Sequence, residues 1–383
     1  MDSVLIIANS GRMLAQAACD INLKPVVIDC FADSDTQTLA RDFYQVESLA
    51  IKDIQAIIES LKGEFKYCLY GSGFEAHQDS LYFLAEHFRL LGNTPEVFAA
   101  LHDKRDFFLR LQQLNISFPA VYFNTKTSNR SHAPVWECSL SRSSGESKYL
   151  KKPFNSQGGL NIQLIEEPDN IKDDNHYYQQ YIDGQALSAL FIANNKQAEI
   201  IGFNQQWTIA LSSQQQFVFS GIINHAELSV HHQQTLQRWV NKLTQSYGLR
   251  GLGSLDFILY RNECYVLEIN PRPPASMQLY HSDLLKLHLQ AINQNLRGLK
   301  LPEQSKSKPY TAYQIIYAET AVKIPKTMKW QNYCCDLPQE NTIINKGQPI
   351  CSIIAHGTNP QHLREDLHTK QHNLLQQLTK QHD

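Results

Sequence analysis

Short apolar segments alternate with helix-like segments over the first 95 residues, and this alternation narrows the folds open to the chain. The runs 4–8 (VLIIA), 24–29 (KPVVID) and 66–70 (KYCLY) have the length and the largely apolar character of buried parallel strands. Polar loops that contain glycine follow the first and the third run. The pattern predicts a doubly wound α/β domain over residues 1–95, with ligands bound at the carboxyl ends of its strands.

The remainder of the chain is predicted to form two further domains. A long helix, about Pro95–Leu114, opens a second domain at residues 96–302, and strand-like segments within it at about 118–181 are expected to form a lid. A polar linker separates this part from residues 308–383, which are predicted to form a small β domain and a polar C-terminal helix. The predicted fold class is therefore α/β and α+β.

Charge and composition exclude several classes of protein. The net charge is −2, from 35 basic and 37 acidic residues, so we expect neither a dedicated nucleic-acid binder nor a protein of anionic membranes. No apolar run approaches the roughly 18–20 residues that span a bilayer, and the first residues lack a signal peptide's basic segment. The eight cysteines include no CxxC pair. Together these features predict a cytoplasmic protein with reduced thiols.

Residues 251–274, GLGSLDFILYRNECYVLEINPRPP, carry the densest pattern of polar and apolar residues. They are predicted to form two antiparallel strands joined by a turn. The i, i+2 spacing places Glu268 and Asn270 on one face, and hairpin closure brings Asp256 alongside them. This cluster of oxygen ligands suits Mg²⁺, and Arg272 follows on the same side, where it could hold a phosphate or a carboxylate. The alternative is a surface hairpin with scattered charges, although apolar residues flank both acids.

Three weaker motifs precede this segment. The strand-like run Tyr149–Pro153 contains a lysine before its proline and leads into the loop 154–159, whose paired glycines could admit phosphate oxygens. Lys104 lies early in an amphipathic helix, and Tyr177–Gly184 is an apolar strand that breaks at an Asp-Gly turn. The alternatives are an ordinary hairpin turn, an exposed helix lysine and a hairpin entrance.

Taken in order, the four motifs resemble the ATP-grasp superfamily. The likeness is greatest to the branch of biotin carboxylase, the large carbamoyl phosphate synthase subunit and the ATP-dependent aminoimidazole ribonucleotide carboxylase, and it extends from about residue 4 to 357. It implies a pre-ATP-grasp domain, an ATP-grasp domain with a lid and a small C-terminal β domain. It also implies ATP and Mg²⁺ as cofactors, with Mn²⁺ able to replace Mg²⁺.

The resemblance implies roles for individual residues. The metal ligands would be Asp256, Glu268 and Asn270, and the catalytic residues Arg272 and Asn270. The nucleotide would be held by Lys104, Lys152, Ser156, Gly158, Gly159, Gln179, Gln180, Tyr181, Ile182 and Asp183. The first loop of the pre-ATP-grasp domain would face the substrate through Ser10, Gly11 and Arg12. Glu75 is expected to join them, because it follows a strand whose carboxyl end lies at the same sheet edge.

Two points depart from the family pattern or remain open. Gln180 stands where the hinge of the family usually carries Glu, and Gln185 follows Gly184 where the family often has an acid. The sequence therefore predicts the nucleotide that is bound less firmly than it predicts the resemblance to the family. Arg12 has a second interpretation, in which its guanidinium only pairs with an acid at a domain interface.

The function implied is that of an ATP-dependent ligase. It would form an acyl phosphate from a carboxylate and join it to a nucleophile, expected to be an amine, as in the biosynthesis of a cofactor or an amino-acid conjugate. The alternatives are a bicarbonate-activating carboxylase and a degenerate nucleotide-binding regulatory protein. The expected partners are small-molecule carboxylate and amine substrates, with a homodimer as one assembly state.

Overall fold

The computed structural model describes residues 2–124, 148–155, 157–166, 175–280, 283–293 and 309–379. Within these ranges it has a mixed α/β fold, with a parallel sheet at the N-terminus and a large antiparallel sheet that reaches into the C-terminal part. None of the described helices is long and apolar enough to cross a membrane.

The N-terminal domain is built on a five-stranded parallel sheet in the order β3-β2-β1-β4-β5. Its strands are β1 (Ser3–Ile7), β2 (Lys24–Asp29), β3 (Asp42–Gln45), β4 (Tyr67–Tyr70) and β5 (Arg89–Leu90). Its helices are α1 (Arg12–Asp20), α2 (Ser34–Leu39), α3 (Ile51–Leu61) and α4 (Gln78–His87). The doubly wound domain predicted from the apolar runs is therefore confirmed.

Two helices follow where the sequence predicted one long helix over Pro95–Leu114. They are α5 (Pro95–His102) and α6 (Lys104–Gln113), separated at Asp103. The Asp103 carboxylate accepts hydrogen bonds from the N–H groups of Arg105 at 3.0 Å and Asp106 at 3.1 Å. Asp103 is thus an N-cap that starts a new helix, and the prediction of a continuous helix is wrong because capping outweighed the continuous amphipathic pattern.

A four-stranded antiparallel sheet lies within the region predicted to form the lid. Its strands, in the order β6-β9-β7-β8, are β6 (Val121–Tyr122), β7 (Tyr149–Pro153), β8 (Gln163–Ile165) and β9 (His176–Gln180). Ser156, predicted to contact the nucleotide, lies outside the described residues.

The largest sheet has eight strands in the order β14-β13-β10-β11-β12-β15-β19-β17. Its strands are β10 (Gln185–Asn194), β11 (Ala198–Ile209), β12 (Val218–Ile223), β13 (Arg250–Tyr260), β14 (Glu263–Asn270), β15 (Tyr310–Tyr317), β17 (Cys334–Cys335) and β19 (Pro349–Gly357). The remaining elements are α7 (Val230–Tyr247), a 3₁₀ helix (Ala275–Leu279), α8 (Leu284–Ile292), the small β16 (Val322–Lys323) and β18 (Ile343–Ile344) pair, and α9 (Pro360–Thr379).

Strand β1 shows how the core joins these parts. Val4 and Ile6 lie in an apolar cluster with residues of α1, α8 and the large sheet, whereas Leu5 and Ile7 lie in a cluster with residues of α3 and α4. Alternate residues of a strand face opposite sides, so both faces of the N-terminal sheet are buried. The first of these clusters fixes the parallel sheet against the large antiparallel sheet and thereby positions the residues described next.

Candidate active site

The hairpin of β13 and β14 places two carboxylates opposite each other. Asp256 is paired with Glu268 in the register of the two strands, and Asn270 lies two residues beyond Glu268 on the same face. The connecting turn consists of Arg261 and Asn262, whose positive φ angles of 47° and 64° are typical of a two-residue hairpin turn. The hairpin predicted from the sequence is therefore present, and it brings the three proposed metal ligands together.

Asp256 lies within a small network of amide groups. Its Oδ1 accepts a hydrogen bond from Nε2 of Gln206 at 3.3 Å, and its Oδ2 accepts one from Nδ2 of Asn270 at 3.1 Å. Burial, together with the negative charge of Glu268, raises the pKa of Asp256 above its usual range. Two acids held this close favour a cation between them.

Two lysines face this pair of acids. The ammonium Nζ of Lys104 lies 3.4 Å from Oε2 of Glu268, and Nζ of Lys152 donates a hydrogen bond of 2.7 Å to Oε1 of Gln179. Burial alone would raise the pKa of Glu268, but the charges of Lys104 and Lys152 outweigh it and lower this pKa. Burial lowers the pKa of Lys152 to about 8, although the charge of Glu268 opposes that shift.

Arg272 connects the hairpin to the N-terminal domain. Its Nε donates to Oε1 of Glu75 at 2.6 Å, and its Nη2 lies 3.5 Å from Oδ1 of Asn270. The other carboxylate oxygen of Glu75 accepts from the N–H of Gly73 at 2.8 Å. Glu75, predicted to touch substrate, is thus a buried carboxylate that orients the Arg272 guanidinium, and its own contact with substrate stays a prediction.

Two site residues were not predicted from the sequence. Gln206 reaches Asp256 from β11, and His102, at the end of α5, lies close enough to Lys104 for that charge to add to burial in lowering the histidine pKa. The Nδ1 atom of His102 lies 2.8 Å from the Phe98 carbonyl oxygen. A glutamine in a strand and a histidine at a helix end are common, so only the fold reveals that they belong to this site.

The glycine-containing loop is held against β12. Gly158 and Gly159 have positive φ angles of 61° and 75°, and the Gly158 carbonyl accepts a hydrogen bond from the N–H of Phe219 at 2.9 Å. A Cβ atom on Gly159 would lie 1.8 Å from the carbonyl oxygen of Phe217, whereas one on Gly158 would meet no atom within 4 Å. Gly159 is therefore required by the close approach of the Phe217 backbone, whereas the approach of phosphate oxygens to this loop stays a prediction.

The predicted adenine-binding segment begins at the end of β9. Gln179 is 1% exposed, and the N–H groups of Gln180 and Tyr181 donate 2.8 Å hydrogen bonds to the carbonyl oxygens of Ala120 and Lys148. Because both N–H groups already donate to carbonyl oxygens of the protein, other backbone groups of this segment would have to bind a purine edge.

The two residues after Tyr181 continue this segment away from the sheet. Ile182 is buried, and its carbonyl oxygen accepts from the N–H of Gly184 at 3.0 Å. Asp183 accepts a 3.3 Å hydrogen bond from the Tyr181 hydroxyl. The segment thus forms a tight turn directly after β9.

Arg12 lies at the junction of three parts of the chain. Its Nε donates to Oδ1 of Asp336 at 2.8 Å, and its Nη2 donates to Oε1 of Gln278 at 2.6 Å. Arg12 is 7% exposed. This is the interface ion pair that the second interpretation of Arg12 expected, and a direct contact with substrate stays a prediction.

The other two residues of that loop lie between β1 and α1. Gly11 donates its N–H to Oδ2 of Asp29 at 2.9 Å, so this donor already has an anionic partner within the protein. Ser10 precedes it in the same loop, at the carboxyl end of β1.

Among the described residues, no group of three or more His, Cys, Asp or Glu side chains could hold a metal ion by itself. The donor set on the hairpin consists of two carboxylates and one amide. Such a set suits a metal whose remaining ligands are water and nucleotide phosphates.

Comparison with known proteins supports the same architecture. Residues 101–276 match the family model of the ATP-grasp domain. An uncharacterized protein of Methanocaldococcus jannaschii is 26% identical over 277 residues, which are 70% of this chain and 63% of that protein. The matched part therefore spans less than two thirds of this relative's length.

Solved structures resemble nearly the whole chain. Biotin carboxylase of Campylobacter jejuni, in a β-γ-ATP complex, gives a TM-score of 0.71 at 16% identity, covering 95% of this chain and 89% of that one. N5-carboxyaminoimidazole synthetase of Staphylococcus aureus gives 0.66 at 16% identity, covering 96% and 97%. The biotin carboxylase domain dimer of Hydrogenobacter thermophilus 2-oxoglutarate carboxylase, with MgADP, ADP and bicarbonate, gives 0.68 at 12%, covering 93% and 86%.

Residues 101–276 thus resemble the ATP-grasp domain in sequence. The overall fold resembles that of biotin carboxylase and N5-carboxyaminoimidazole synthetase.

Proposed function

We propose that the protein is an ATP-dependent ligase that uses Mg²⁺. It transfers the γ-phosphoryl group of ATP to a small-molecule carboxylate, and an amine then attacks the acyl phosphate, releasing phosphate. One observation carries this proposal: Lys104 and Lys152 lie near Asp256 and Glu268, close enough for the four charges to shift one another's pKa values or to form an ion pair. Phosphoryl transfer requires positively charged side chains that bind the phosphates and carboxylates that bind the metal ion.

The donor set fits Mg²⁺. Asp256 and Glu268 are adjacent acids, and burial with mutual repulsion raises the pKa of Asp256, so a divalent cation between them would relieve that repulsion. Asn270 would add an amide oxygen, which now lies 3.5 Å from Arg272. Bound there, Mg²⁺ would neutralise phosphate charge and help to orient the transferred group.

The nucleotide phosphates would lie between the lysines and the glycine-containing loop. Lys152 is positioned by its hydrogen bond to Gln179, and Lys104 by its ion pair with Glu268. Phosphate charge would raise the lowered pKa of Lys152 and so stabilise its ammonium form.

Arg272 is placed to stabilise the carboxylate and its acyl phosphate. A guanidinium has five N–H donors, and in the described part of the structure two of its nitrogens contact Glu75 and Asn270. The N–H groups that remain can bind an anion, while Glu75 fixes their direction. Positioning and charge stabilisation would supply most of the rate enhancement, and amine attack needs no dedicated general base beyond a nearby carboxylate.

A bicarbonate-activating carboxylase is the second candidate. The specific observation in its favour is that the fold likeness to biotin carboxylase and N5-carboxyaminoimidazole synthetase includes the C-terminal strands, since more than 90% of this chain is covered. Bicarbonate is itself a small carboxylate, so both candidates share the phosphoryl-transfer step. Labelled bicarbonate, tested for incorporation beside a panel of carboxylate and amine pairs, separates them.

Glu268→Gln tests the shared step. It retains the size of the side chain but removes the charge that faces Lys104 and would bind Mg²⁺. We expect ADP release to fall more than about 100-fold with an unchanged melting profile, because losing an outer-shell partner alone typically costs 10- to 100-fold. Glu263→Gln, an exposed acid of the same strand, is the matched control. Unchanged ADP release in Glu268→Gln would reject the site, and MgATP binding without any turnover in the wild type would favour a regulatory protein.

A further inference from the structure

Arg105 follows Lys104 at the start of α6 but contacts a different part of the chain. Its Cζ atom lies 4.7 Å from the centroid of the Phe123 ring. Its Nη2 donates a 2.8 Å hydrogen bond to the carbonyl oxygen of Asn124. Phe123 and Asn124 come directly after β6 of the four-stranded sheet, and both are buried. A single guanidinium thus holds two consecutive residues next to this sheet through two kinds of contact.

The Phe123 ring belongs to a group of stacked aromatic side chains that reaches the glycine-containing loop. Its centroid lies 6.2 Å from that of Phe154, with 11° between the ring planes, and 5.8 Å from that of Tyr177, at 23°. The Phe154 and Tyr177 centroids are 5.6 Å apart. Phe154 is the first residue of the loop 154–159, directly after β7. The aromatic group therefore positions the beginning of this loop.

The contacts of Arg105 add direction to the apolar packing between α6 and the four-stranded sheet. Phe108, also on α6, has its ring centroid 6.1 Å from that of Tyr177, so apolar packing alone already brings the two together. Apolar burial is non-directional. A hydrogen bond and a cation over a ring face both depend on orientation. Arg105 therefore constrains how α6 is oriented against the residues that hold the loop.

A guanidinium beside an aromatic group can also serve stability alone, since Phe123 and Tyr177 belong to the same apolar core cluster as Phe108. Loss of such a contact would lower the free energy of unfolding and leave the ligand affinity of the folded protein unchanged. The position of Phe154 favours a further role, because it stands only two residues after Lys152. A shift of Phe154 would move both the lysine and the loop.

We propose that Arg105 is a positioning residue of the nucleotide site. It holds the loop 154–159 where phosphates that contact Lys104 and Lys152 also meet the backbone of the loop. This inference rests on the proposed function, and Arg105 itself contacts neither nucleotide nor metal. Without Arg105 the loop occupies several positions, of which only some are competent to bind. The apparent affinity then falls in proportion to the competent fraction, because binding has to order the loop first.

Arg105→Gln and Phe123→Leu test the proposal from the two sides of one contact. The first removes the charge and the second removes the ring while keeping an apolar side chain. Binding of the non-hydrolysable analogue AMP-PNP with Mg²⁺ is measured by titration calorimetry, at a temperature where circular dichroism shows each variant to be folded. We expect each substitution to weaken binding about three- to tenfold, the range of a cation–π contact.

The double variant separates positioning from stability. Both substitutions break the same contact, so Arg105→Gln with Phe123→Leu should bind AMP-PNP no more weakly than the weaker single variant, within about twofold. Arg110→Gln is the matched control, because Arg110 is an exposed arginine of the same helix. Its affinity should stay within about twofold of the wild type. Melting temperatures without nucleotide, measured on all four variants, report stability independently.

Wild-type affinity in both single variants would overturn the proposal, and so would affinity losses that multiply in the double variant. Lower melting temperatures with unchanged AMP-PNP affinity would assign Arg105 to stability alone. If one single variant does not fold, the affinity of the other decides. Failure of the wild type to bind AMP-PNP would contradict the proposed function together with this inference, whereas wild-type binding that neither substitution weakens would contradict only the role of Arg105.

Discussion

Lys151 and Lys152 are neighbours in β7, and only one of them is bonded to Gln179 in the proposed nucleotide site. Successive side chains of a strand point to opposite faces, and Nζ of Lys152 makes the 2.7 Å hydrogen bond to Gln179. We expect Lys152→Ala to weaken binding of an ATP analogue about 10- to 150-fold, the equivalent of a charged hydrogen bond worth about 1.5–3 kcal/mol. Lys151→Ala serves as the control, with an effect below about threefold. Equal or reversed effects in an equilibrium titration would show that the wrong lysine had been assigned.

The lowered pKa of Lys152 predicts a pH dependence of nucleotide binding. The free protein begins to lose the Lys152 proton near pH 8, whereas bound phosphates would raise this pKa, so the complex holds more protons than the free protein. Affinity should therefore fall as pH rises above about 8, approaching tenfold per pH unit. Lys152→Arg, which stays charged, should remove this decline. A flat wild-type profile between pH 7 and 9.5 would contradict the assignment.

The residues of the candidate active site differ in how far their positions could be predicted from the sequence. Asp256, Glu268 and Asn270 were predictable because strand periodicity and hairpin closure are local rules. The partner of Arg272 could not be derived in the same way, because Glu75 is 197 positions away in the sequence and its contact depends on how two domains pack. His102 carries no local signal at all.

The glycine-containing loop after β7 offers two glycines that differ in one physical respect. Both have positive φ angles, but only a side chain on Gly159 would collide with the Phe217 backbone. We expect Gly158→Ala to cost about 1 kcal/mol of stability from backbone strain alone, with catalysis retained. Gly159→Ala should in addition displace the loop from β12 and lower kcat/KM for ATP at least tenfold. Steady-state kinetics and thermal melting, measured on both variants, distinguish these effects. If Gly158→Ala and Gly159→Ala had the same kcat/KM for ATP, the contact of the loop with the Phe217 backbone would have no role in catalysis.

Helices α5 and α6 illustrate the limit of pattern-based prediction for whole elements. Their apolar residues continue without interruption from one helix into the next, so periodicity alone predicts a single helix. The interruption depends on one N-cap contact, formed by the Asp103 carboxylate. This break also sets Lys104 at the first position of α6, from which it reaches Glu268. The sheet order of β10 to β19, with its long-range pairings, was likewise beyond local rules.

The ion pair of Arg12 and Asp336 ties the N-terminal domain to the C-terminal strands. Both groups are largely buried, so Arg12→Ala would leave an unpaired carboxylate and should lower the free energy of unfolding by about 3–5 kcal/mol. Arg41→Ala, whose ion pairs with Asp42 and Glu64 are more exposed, should cost less than about 1 kcal/mol. Denaturant unfolding measures both.

Kinetics of Arg12→Ala then separate the two interpretations of this residue. Loss of a purely structural pair should affect nucleotide and acceptor alike, whereas loss of a substrate contact should raise the acceptor KM while nucleotide affinity holds. The observed contacts of Arg12 favour the first pattern. Normal stability of Arg12→Ala would contradict the structural role.

The pairing of β12 with β15 has a consequence for how the protein is made. Ile222 of β12 lies opposite Tyr313 of β15, so residues that leave the ribosome late complete a sheet whose other half was synthesised earlier. Until β15 (Tyr310–Tyr317) emerges, the outer edge of β12 exposes unpaired backbone N–H and C=O groups, the kind of edge that recruits other strands. The nascent chain therefore passes through a period in which the strands β13 and β14 have been synthesised but the sheet that contains them is unfinished, and the last quarter of the sequence ends that exposure.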